Sequence, residues 1–105
     1  MFIRHGQVAR LKPEKIEEYI ALHENVWKEI LEIIEDCNLR NYSIYYKDGQ
    51  VFSYYEYTGE DYEKDLQKME ANPLMQEWWT HTKPCFATCD EGVYYEDMRE
   101  IFYNK

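Results

Sequence analysis

The stretch NYSIYYKDGQVFSYYEY, residues 41–57, is the strongest structural signal in the sequence and predicts a β-hairpin. Asp48-Gly49 is a residue pair typical of a two-residue type I′ turn, and runs rich in aromatic and β-branched residues flank it on both sides. Because a two-residue turn fixes the register of a hairpin, the cross-strand pairs follow from it. The expected pairs are Tyr46 with Val51, Ile44 with Ser53, and Tyr42 with Tyr55.

Neither face of this hairpin is polar. Side chains alternate between the two faces of a strand. One face carries Tyr42, Ile44, Tyr46, Val51 and Tyr55, and the opposite face carries Tyr45, Phe52 and Tyr54. A sheet with helices on one side normally has a polar second face, which this hairpin lacks. We therefore expect a second subunit to cover that face, in a homodimer formed through the sheets.

The segments around the hairpin predict the remaining fold. The predicted elements are a strand at residues 2–11, a long helix at 13–37, a second helix at 60–71, a third helix that starts at Asn72 and Pro73, and a closing strand at 93–105. The order strand, helix, strand, strand, helix, strand is the split βαβ pattern. The sequence therefore predicts one α+β domain over residues 1–105, a four-stranded antiparallel sheet with helices on one face.

The long helix has an apolar stripe that contains a histidine. Pro13 suits the first helical position, where its missing N–H costs nothing. The stripe repeats every three to four residues and comprises Ile16, Ile20, His23, Trp27, Ile30, Leu31 and Ile34. The outer side carries Glu17, Glu24, Lys28, Glu32 and Glu35. His23 occupies a position where a leucine would be expected, so we predict that its imidazole points towards the sheet.

The composition excludes several classes of partner. The chain has 105 residues with 12 basic and 21 acidic side chains, which give a formal net charge of −9. This charge repels phosphate backbones and anionic membrane surfaces, so we expect no binding to nucleic acid or membranes, while small neutral substrates remain open. The three cysteines, Cys37, Cys85 and Cys89, are an odd number without framework spacing, and the amino terminus lacks an apolar leader. We expect a cytoplasmic protein.

His23 is the first candidate for chemistry. Tyr19 lies one helical turn before it, and Tyr42 lies on the sheet face that also carries Ile44 and Val51. If that face meets the helix, three polar groups converge in a mostly apolar pocket, which is the usual form of a small-ligand site. The alternative is a core histidine that is hydrogen-bonded to a tyrosine for packing reasons.

The adjacent tryptophans Trp78 and Trp79 are the second candidate. Adjacent helical positions diverge by about 100°, so both rings cannot fill one core position. One ring is expected to pack while the other lines a cavity, where a flat indole suits the C–H face of a sugar. Ordinary core filling by both rings is the alternative.

Metal binding and nucleophilic catalysis by cysteine have little support in the sequence. His5, His23 and His81 are scattered, and Cys85-x-x-x-Cys89 lacks a second pair of ligands. No residue pattern places a base beside a cysteine.

The order and spacing of these motifs resemble the L-rhamnose mutarotase family. Tyr19, His23 and Trp27 form a Tyr-x3-His-x3-Trp motif, NYSIYY follows the first helix, EWW precedes the late loop and EIFY lies near the end. The resemblance covers essentially the whole chain. The loop TKPCFATCDEG differs from the Pro- and Asn-rich version of the family, which bears on sugar preference.

The resemblance implies a dimeric ferredoxin-like α/β barrel that interconverts the α and β anomers of L-rhamnose without a cofactor or a metal. It implies that His23 is the proton donor. The residues that it implies for sugar binding are Tyr19, Tyr42, Trp78 and Trp79. Ring opening at C1 needs one proton delivered to the ring oxygen and another removed from the anomeric hydroxyl. The opposing base stays open, with Tyr19 as a candidate.

Two other functions remain open, because one fold supports many activities. A cofactor-free oxygenase of the same architecture would have a large apolar cavity, which the many tyrosines could line. A non-catalytic binding module would instead expose the paired tryptophans, and His23 would be replaceable by Gln or Leu.

Overall fold

The computed structural model describes residues 3–87 and 95–105. Its regular elements are β1 (Ile3–Arg10), α1 (Ile16–Glu24), α2 (Lys28–Asp36), β2 (Leu39–Lys47), β3 (Gln50–Tyr57), α3 (Tyr62–Ala71), α4 (Pro73–Thr82) and β4 (Glu96–Met98). Short 3-10 turns at Pro13–Lys15 and Lys83–Cys85 precede α1 and follow α4. The closing strand is shorter than predicted, and Cys89 lies outside the described residues.

The four strands form one antiparallel sheet in the order β2-β3-β1-β4. The predicted α+β fold is therefore confirmed. Alternate residues of β3 are buried, namely Val51, Ser53, Tyr55 and Tyr57. These residues point towards the helices, because Tyr55 and Tyr57 share a buried cluster with side chains from α2, α3 and α4.

The hairpin has the predicted turn and most of the predicted register. Asp48 and Gly49 have φ values of 50° and 82°, as a type I′ turn requires. The predicted pairs of Tyr46 with Val51 and Ile44 with Ser53 are confirmed. The regular pairing predicted for Tyr42 with Tyr55 is wrong, because a bulge lies between Arg40 and Ser43. Asn41, which adopts a φ of 51°, and Tyr42 together span the position opposite Tyr55.

The long helix predicted at 13–37 is wrong as a continuous element. The chain leaves helical geometry at residues 25–27, where Asn25 has φ −139° and Trp27 has ψ 137°. Asn, Val and Trp all have weak helix propensity, and Val26 and Trp27 pack into the core instead. The break changes which side of the next helix is buried, so Leu31, expected in the apolar stripe, is 54% exposed.

The helices α3 and α4 begin at side-chain caps. Asp61 Oδ1 accepts a hydrogen bond from the backbone N–H of Lys64, so α3 starts at Tyr62 and not at Glu60. The prediction for α4 is confirmed, because the Asn72 side chain accepts from two backbone N–H groups and Pro73 follows it.

The core consists of two clusters of buried side chains. The larger cluster comprises Ile30, Cys37, Leu39, Tyr55, Tyr57, Met69, Met75 and Trp78. The smaller cluster comprises Ala9, Leu11, Tyr19, Val51, Cys85 and Phe86. Leu22 of α1 packs against both clusters, and the buried Ser53 lies between Val51 and Tyr55 along β3. Leu22 therefore bridges the two clusters from the side of α1, and Ser53 marks the point on the sheet where one cluster gives way to the other.

Candidate active site

His23 and Tyr19 lie together on α1, as the one-turn spacing predicts. Their ring centroids are 4.4 Å apart, with Tyr19 buried and His23 half-buried. His23 Nδ1 is 2.9 Å from the backbone carbonyl oxygen of Tyr19. Since a carbonyl oxygen can only accept, Nδ1 carries the hydrogen in this contact. The second ring nitrogen, Nε2, is then the one that can exchange a proton with a ligand.

Tyr19 belongs to a group of five interacting tyrosines from the helices, the sheet and the carboxyl-terminal segment, which we call the tyrosine cluster: Tyr19, Tyr42, Tyr55, Tyr62 and Tyr95. The Tyr19 and Tyr95 hydroxyls are 3.0 Å apart, and the hydroxyls of Tyr55 and Tyr62 are also hydrogen-bonded. The Tyr42 ring lies 5.3 Å from the Tyr55 ring, and Tyr42 remains 39% exposed.

Burial raises the pKa of every phenol in the tyrosine cluster. Neighbouring phenols add to the effect on Tyr42, although water still reaches part of its ring. The phenols are therefore protonated at neutral pH. They can donate and accept hydrogen bonds with sugar hydroxyls, but they do not serve as phenolate bases.

Trp78 and Trp79 point in different directions, as predicted for adjacent helical positions. Trp78 is buried and meets the His23 ring edge-on at 5.9 Å and the Trp27 ring at 5.1 Å. Trp79 is half-buried, with the Lys83 ammonium 4.6 Å from its ring centre. Trp78 is thus part of the core, while Trp79 packs at its edge and lines the cleft described next, and sugar binding by either ring stays a prediction.

The cavity beside Trp79 is an open cleft of about 630 Å³. Its lining residues are Lys12, Gln76, Trp79, Thr80, Lys83, Pro84 and Phe86. The cleft does not contain His23, but Phe86 connects the two regions, because its ring also lies 5.2 Å from the Tyr19 ring. The site proposed below centres on His23 and not on this cleft, because proton transfer needs a titratable group. Trp79 is thus the one of the five predicted site residues that lines this cleft.

His5 and Ser53 are polar groups on the sheet floor that the sequence predictions did not assign to the site. The His5 ring is stacked between Tyr55 and Tyr62, at 5.0 and 4.5 Å. Burial lowers the pKa of His5, while the Asp97 carboxylate acts in the opposite direction. His5 Nε2 and Ser53 Oγ are buried and have no hydrogen-bond partner within residues 3–87 and 95–105.

The sequence contained a signal for His5 that the predictions did not use. The strand β1 pairs with β3 so that His5 lies opposite Tyr55 and Gln7 lies opposite Ser53. Alternation along residues 2–11 puts His5, Gln7 and Ala9 on one face, but the partner strand and its register were needed to show that this face is the one under the helices.

Comparison with known proteins identifies the family. The profile of the L-rhamnose mutarotase family matches residues 4–104. The chain belongs to the L-rhamnose mutarotase family. Mutarotases are enzymes that act on sugar anomers. An L-rhamnose mutarotase from Oceanobacillus iheyensis is 32% identical over 103 residues, which cover 95% of this chain and 96% of that protein.

Solved structures agree with the fold of this mutarotase family member. The crystal structure of an L-rhamnose mutarotase from Formosa agariphila has a TM-score of 0.79 at 17% identity, covering 98% of this chain and 99% of that one. A putative antibiotic biosynthesis monooxygenase from Chloroflexus aurantiacus has a TM-score of 0.58 at 11% identity, covering 98% of each chain. At these identities the likenesses show the fold alone. The fold is therefore shared with proteins that bear different names.

Two further observations concern the environment of this mutarotase family member. In the part of the chain that the structure describes, no three His, Cys, Asp or Glu side chains are grouped so that they could hold a metal ion. Within residues 3–87 and 95–105, none of the helices has the length and apolar character needed to span a bilayer.

Proposed function

We propose that this protein is an L-rhamnose mutarotase, an isomerase that interconverts the α and β anomers of L-rhamnose. The family match over residues 4–104 supports this activity. The main structural support is the orientation of the His23 imidazole, which is fixed by the hydrogen bond that Nδ1 donates to the Tyr19 carbonyl oxygen. This leaves Nε2 to exchange a proton with a sugar beside a cluster of neutral phenols.

The mechanism that we propose uses His23 as the proton donor. Protonated His23 delivers the Nε2 hydrogen to the ring oxygen as the bond between C1 and that oxygen breaks. A base removes the proton of the C1 hydroxyl group, and C1 becomes an aldehyde carbon. Rotation about the C1–C2 bond presents the other carbonyl face, and the reverse transfers close the ring as the opposite anomer. A positioned acid–base pair accelerates such a step by about 10²–10⁴-fold.

The neighbouring aromatic residues have binding roles in this proposal. Tyr19 and Tyr42 hydrogen-bond to sugar hydroxyls as neutral phenols. The raised pKa of Tyr19 argues against its use as the opposing base. The Trp78 ring, which meets the His23 ring edge-on, forms one side of the binding site. Trp79 stacks against the C–H face of the sugar on the side of the cleft.

We also propose that the protein is a cytoplasmic homodimer that pairs through the second sheet face. Phe52 and Tyr54 are half-buried on this face, and Tyr45 on the same face is 67% exposed. Arg4 adds to the surface by stacking its guanidinium on the Tyr103 ring at 3.3 Å. An aromatic face of this kind suits an isologous dimer, in which the same patch meets its copy.

Saturation-transfer NMR on free sugars tests the activity directly. Irradiating the C1 proton of one L-rhamnose anomer should reduce the signal of the other anomer when the protein is present. A panel that includes L-fucose, L-lyxose and D-glucose measures the preference for the sugar. No acceleration for any aldose would contradict the proposal. A tryptophan fluorescence change with micromolar aromatic compounds would then favour an oxygenase.

A further inference from the structure

Asp97 lies on the sheet face under the helices, beside the proposed site. Strand β4 pairs with β1 so that Asp97 is opposite Gln7, which is itself opposite Ser53 on β3. Directly opposed residues in an antiparallel sheet point to the same side. The side chain of Asp97 is therefore in one row with the buried Ser53, while Glu96, opposite Val8, points to the other face of the sheet.

A neighbouring side chain holds the Asp97 carboxylate. Gln7 Nε2 donates a hydrogen bond of 2.8 Å to Asp97 Oδ1. Asp97 is exposed, so a ligand can reach the carboxylate. One oxygen is thus fixed by Gln7, and the other makes no hydrogen bond within residues 3–87 and 95–105.

The tyrosine cluster connects Asp97 with His23. Tyr95, two residues before Asp97, has its hydroxyl 3.0 Å from that of Tyr19, whose ring lies 4.4 Å from the His23 ring. The charge of Asp97 also acts on His5 of β1, Tyr55 of β3 and Tyr62 of α3. The carboxylate and the His23 imidazole therefore both border the tyrosine cluster.

The chemistry requires a base that the phenols do not supply. Their raised pKa values keep them protonated, and His5 Nε2 is buried. A carboxylate is anionic at neutral pH and can accept a hydroxyl proton. Asp97 combines a negative charge with exposure to solvent, which neither the neutral phenols nor the buried Nε2 of His5 does.

We propose that Asp97 is the base opposite His23, that it contacts the anomeric hydroxyl of the sugar, and that Gln7 positions it. Asp97 takes the hydroxyl proton on C1, the C1 carbonyl forms, and the bond to the ring oxygen breaks. The electron pair of that bond accepts the Nε2 proton of His23. Ring closure on the other face returns the proton to His23, and Asp97 reprotonates the carbonyl oxygen, so both groups end as they began. This assignment rests on the proposed mutarotase activity.

Replacement of the carboxylate by an amide tests the assignment. Asp97→Asn keeps an oxygen that can accept the hydrogen bond from Gln7 but replaces the basic carboxylate by a neutral amide. We expect kcat for L-rhamnose, taken from the concentration dependence of anomer exchange, to fall at least about 100-fold, with KM within about threefold of wild type. The matched control is Glu96→Gln, which neutralises the adjacent carboxylate on the other face and should leave both constants unchanged.

Two further variants keep the test decisive if Asp97→Asn folds poorly by near-ultraviolet circular dichroism. Asp97→Glu retains a displaced carboxylate and should lie between wild type and Asp97→Asn. Asp97→Ala should recover part of its rate on addition of formate, beyond the effect of formate on wild type. A purely structural role would not produce this rescue.

The outcomes separate this inference from the proposed function. If wild type exchanges anomers and Asp97→Asn stays within threefold of its kcat, the role of Asp97 is overturned while the activity stands. A rise in KM with unchanged kcat would also overturn it, because Asp97 would then only bind the sugar. If wild type accelerates no aldose, the proposed function fails and the assignment fails with it.

Discussion

Replacement of His23 by alanine is predicted to remove catalysis while leaving the protein folded. The substitution deletes the hydrogen bond from Nδ1 to the Tyr19 carbonyl oxygen and the ring contacts with Tyr19 and Trp78. A hydrogen bond of this kind contributes about 0.5–1.5 kcal/mol net, and an aromatic pair about 0.5–1.5 kcal/mol beyond its buried area.

One hydrogen bond and two ring contacts sum to roughly 1.5–4.5 kcal/mol, and the cost of this substitution should fall in the lower half of that range, at ~1.5–3 kcal/mol. His23 is half-buried, and the Tyr19 carbonyl oxygen lies four residues earlier in α1, where it is also the helical partner of a backbone N–H. No buried acceptor is therefore left without a partner. A domain of this size typically has ~5–15 kcal/mol of stability, so the variant should remain folded.

The kinetic loss should be much larger than the loss of stability. Removal of the proton donor should reduce anomer exchange by about 10²–10⁴-fold, which corresponds to ~3–5 kcal/mol of transition-state stabilisation. Saturation-transfer NMR on L-rhamnose measures the rate, and urea denaturation measures the stability. His23→Gln is the control for size and hydrogen bonding, because it can still donate to the Tyr19 carbonyl oxygen but has no titratable nitrogen. Exchange at the wild-type rate in either variant would refute the role of His23.

Three other properties can be measured on the same preparations. Trp79→Ala should weaken sugar binding, seen as a higher KM for L-rhamnose, more than it weakens folding, because Trp79 is half-buried beside the cleft. Unchanged kinetics with a large drop in melting temperature would contradict its binding role. Static light scattering at micromolar concentration should give about twice the chain mass of 12.9 kDa, and a monomer would refute the sheet-face dimer. Since burial lowers the folded-state pKa of His5 below the unfolded value of about 6.5, the unfolded chain binds the proton more tightly, and stability should fall as pH decreases below about 6.5. His5→Phe should reduce the difference in urea midpoint between pH 7.5 and pH 5.5, and the same difference in the variant as in wild type would show that His5 does not contribute.

The fold could be predicted from sequence because its strongest signals are local. The Asp48-Gly49 turn sets the hairpin register, and Asn72 with Pro73 sets the start of α4, without help from distant parts of the chain. The break in the long helix was not predictable from spacing, because Trp27 fits the apolar stripe of a continuous helix, whereas in the structure Val26 and Trp27 pack against the core outside helical geometry. The bulge at residues 41–42 likewise depends on the positive φ of Asn41, which the periodicity of side chains does not predict.

The proposed site was predictable from sequence only where its residues share one element. Tyr19 and His23 are one turn apart on a single helix, so spacing alone places them together. Gln7 and Asp97 are ninety positions apart and meet only because β4 pairs with β1. The register of a short closing strand cannot be read from its own residues, and so the carboxylate stayed outside the sequence prediction.

The break at residues 25–27 gives a physical reason for the accessibility of His23 on which its proposed catalytic role depends. In a continuous helix Trp27 would follow His23 by four residues on the same face, and its indole would cover the imidazole. In the structure Trp27 packs instead against the Trp78 ring at 5.1 Å and the His81 ring at 5.6 Å. The weak helix formers before Trp27 therefore leave His23 half-exposed near the end of α1, where Nε2 can meet a ligand. Substitutions that favour a continuous helix through this segment, such as Asn25→Ala with Val26→Ala, should lower kcat, although they remove no proposed site residue. Circular dichroism would verify the gain in helix. An unchanged kcat in a variant with increased helicity would contradict this account.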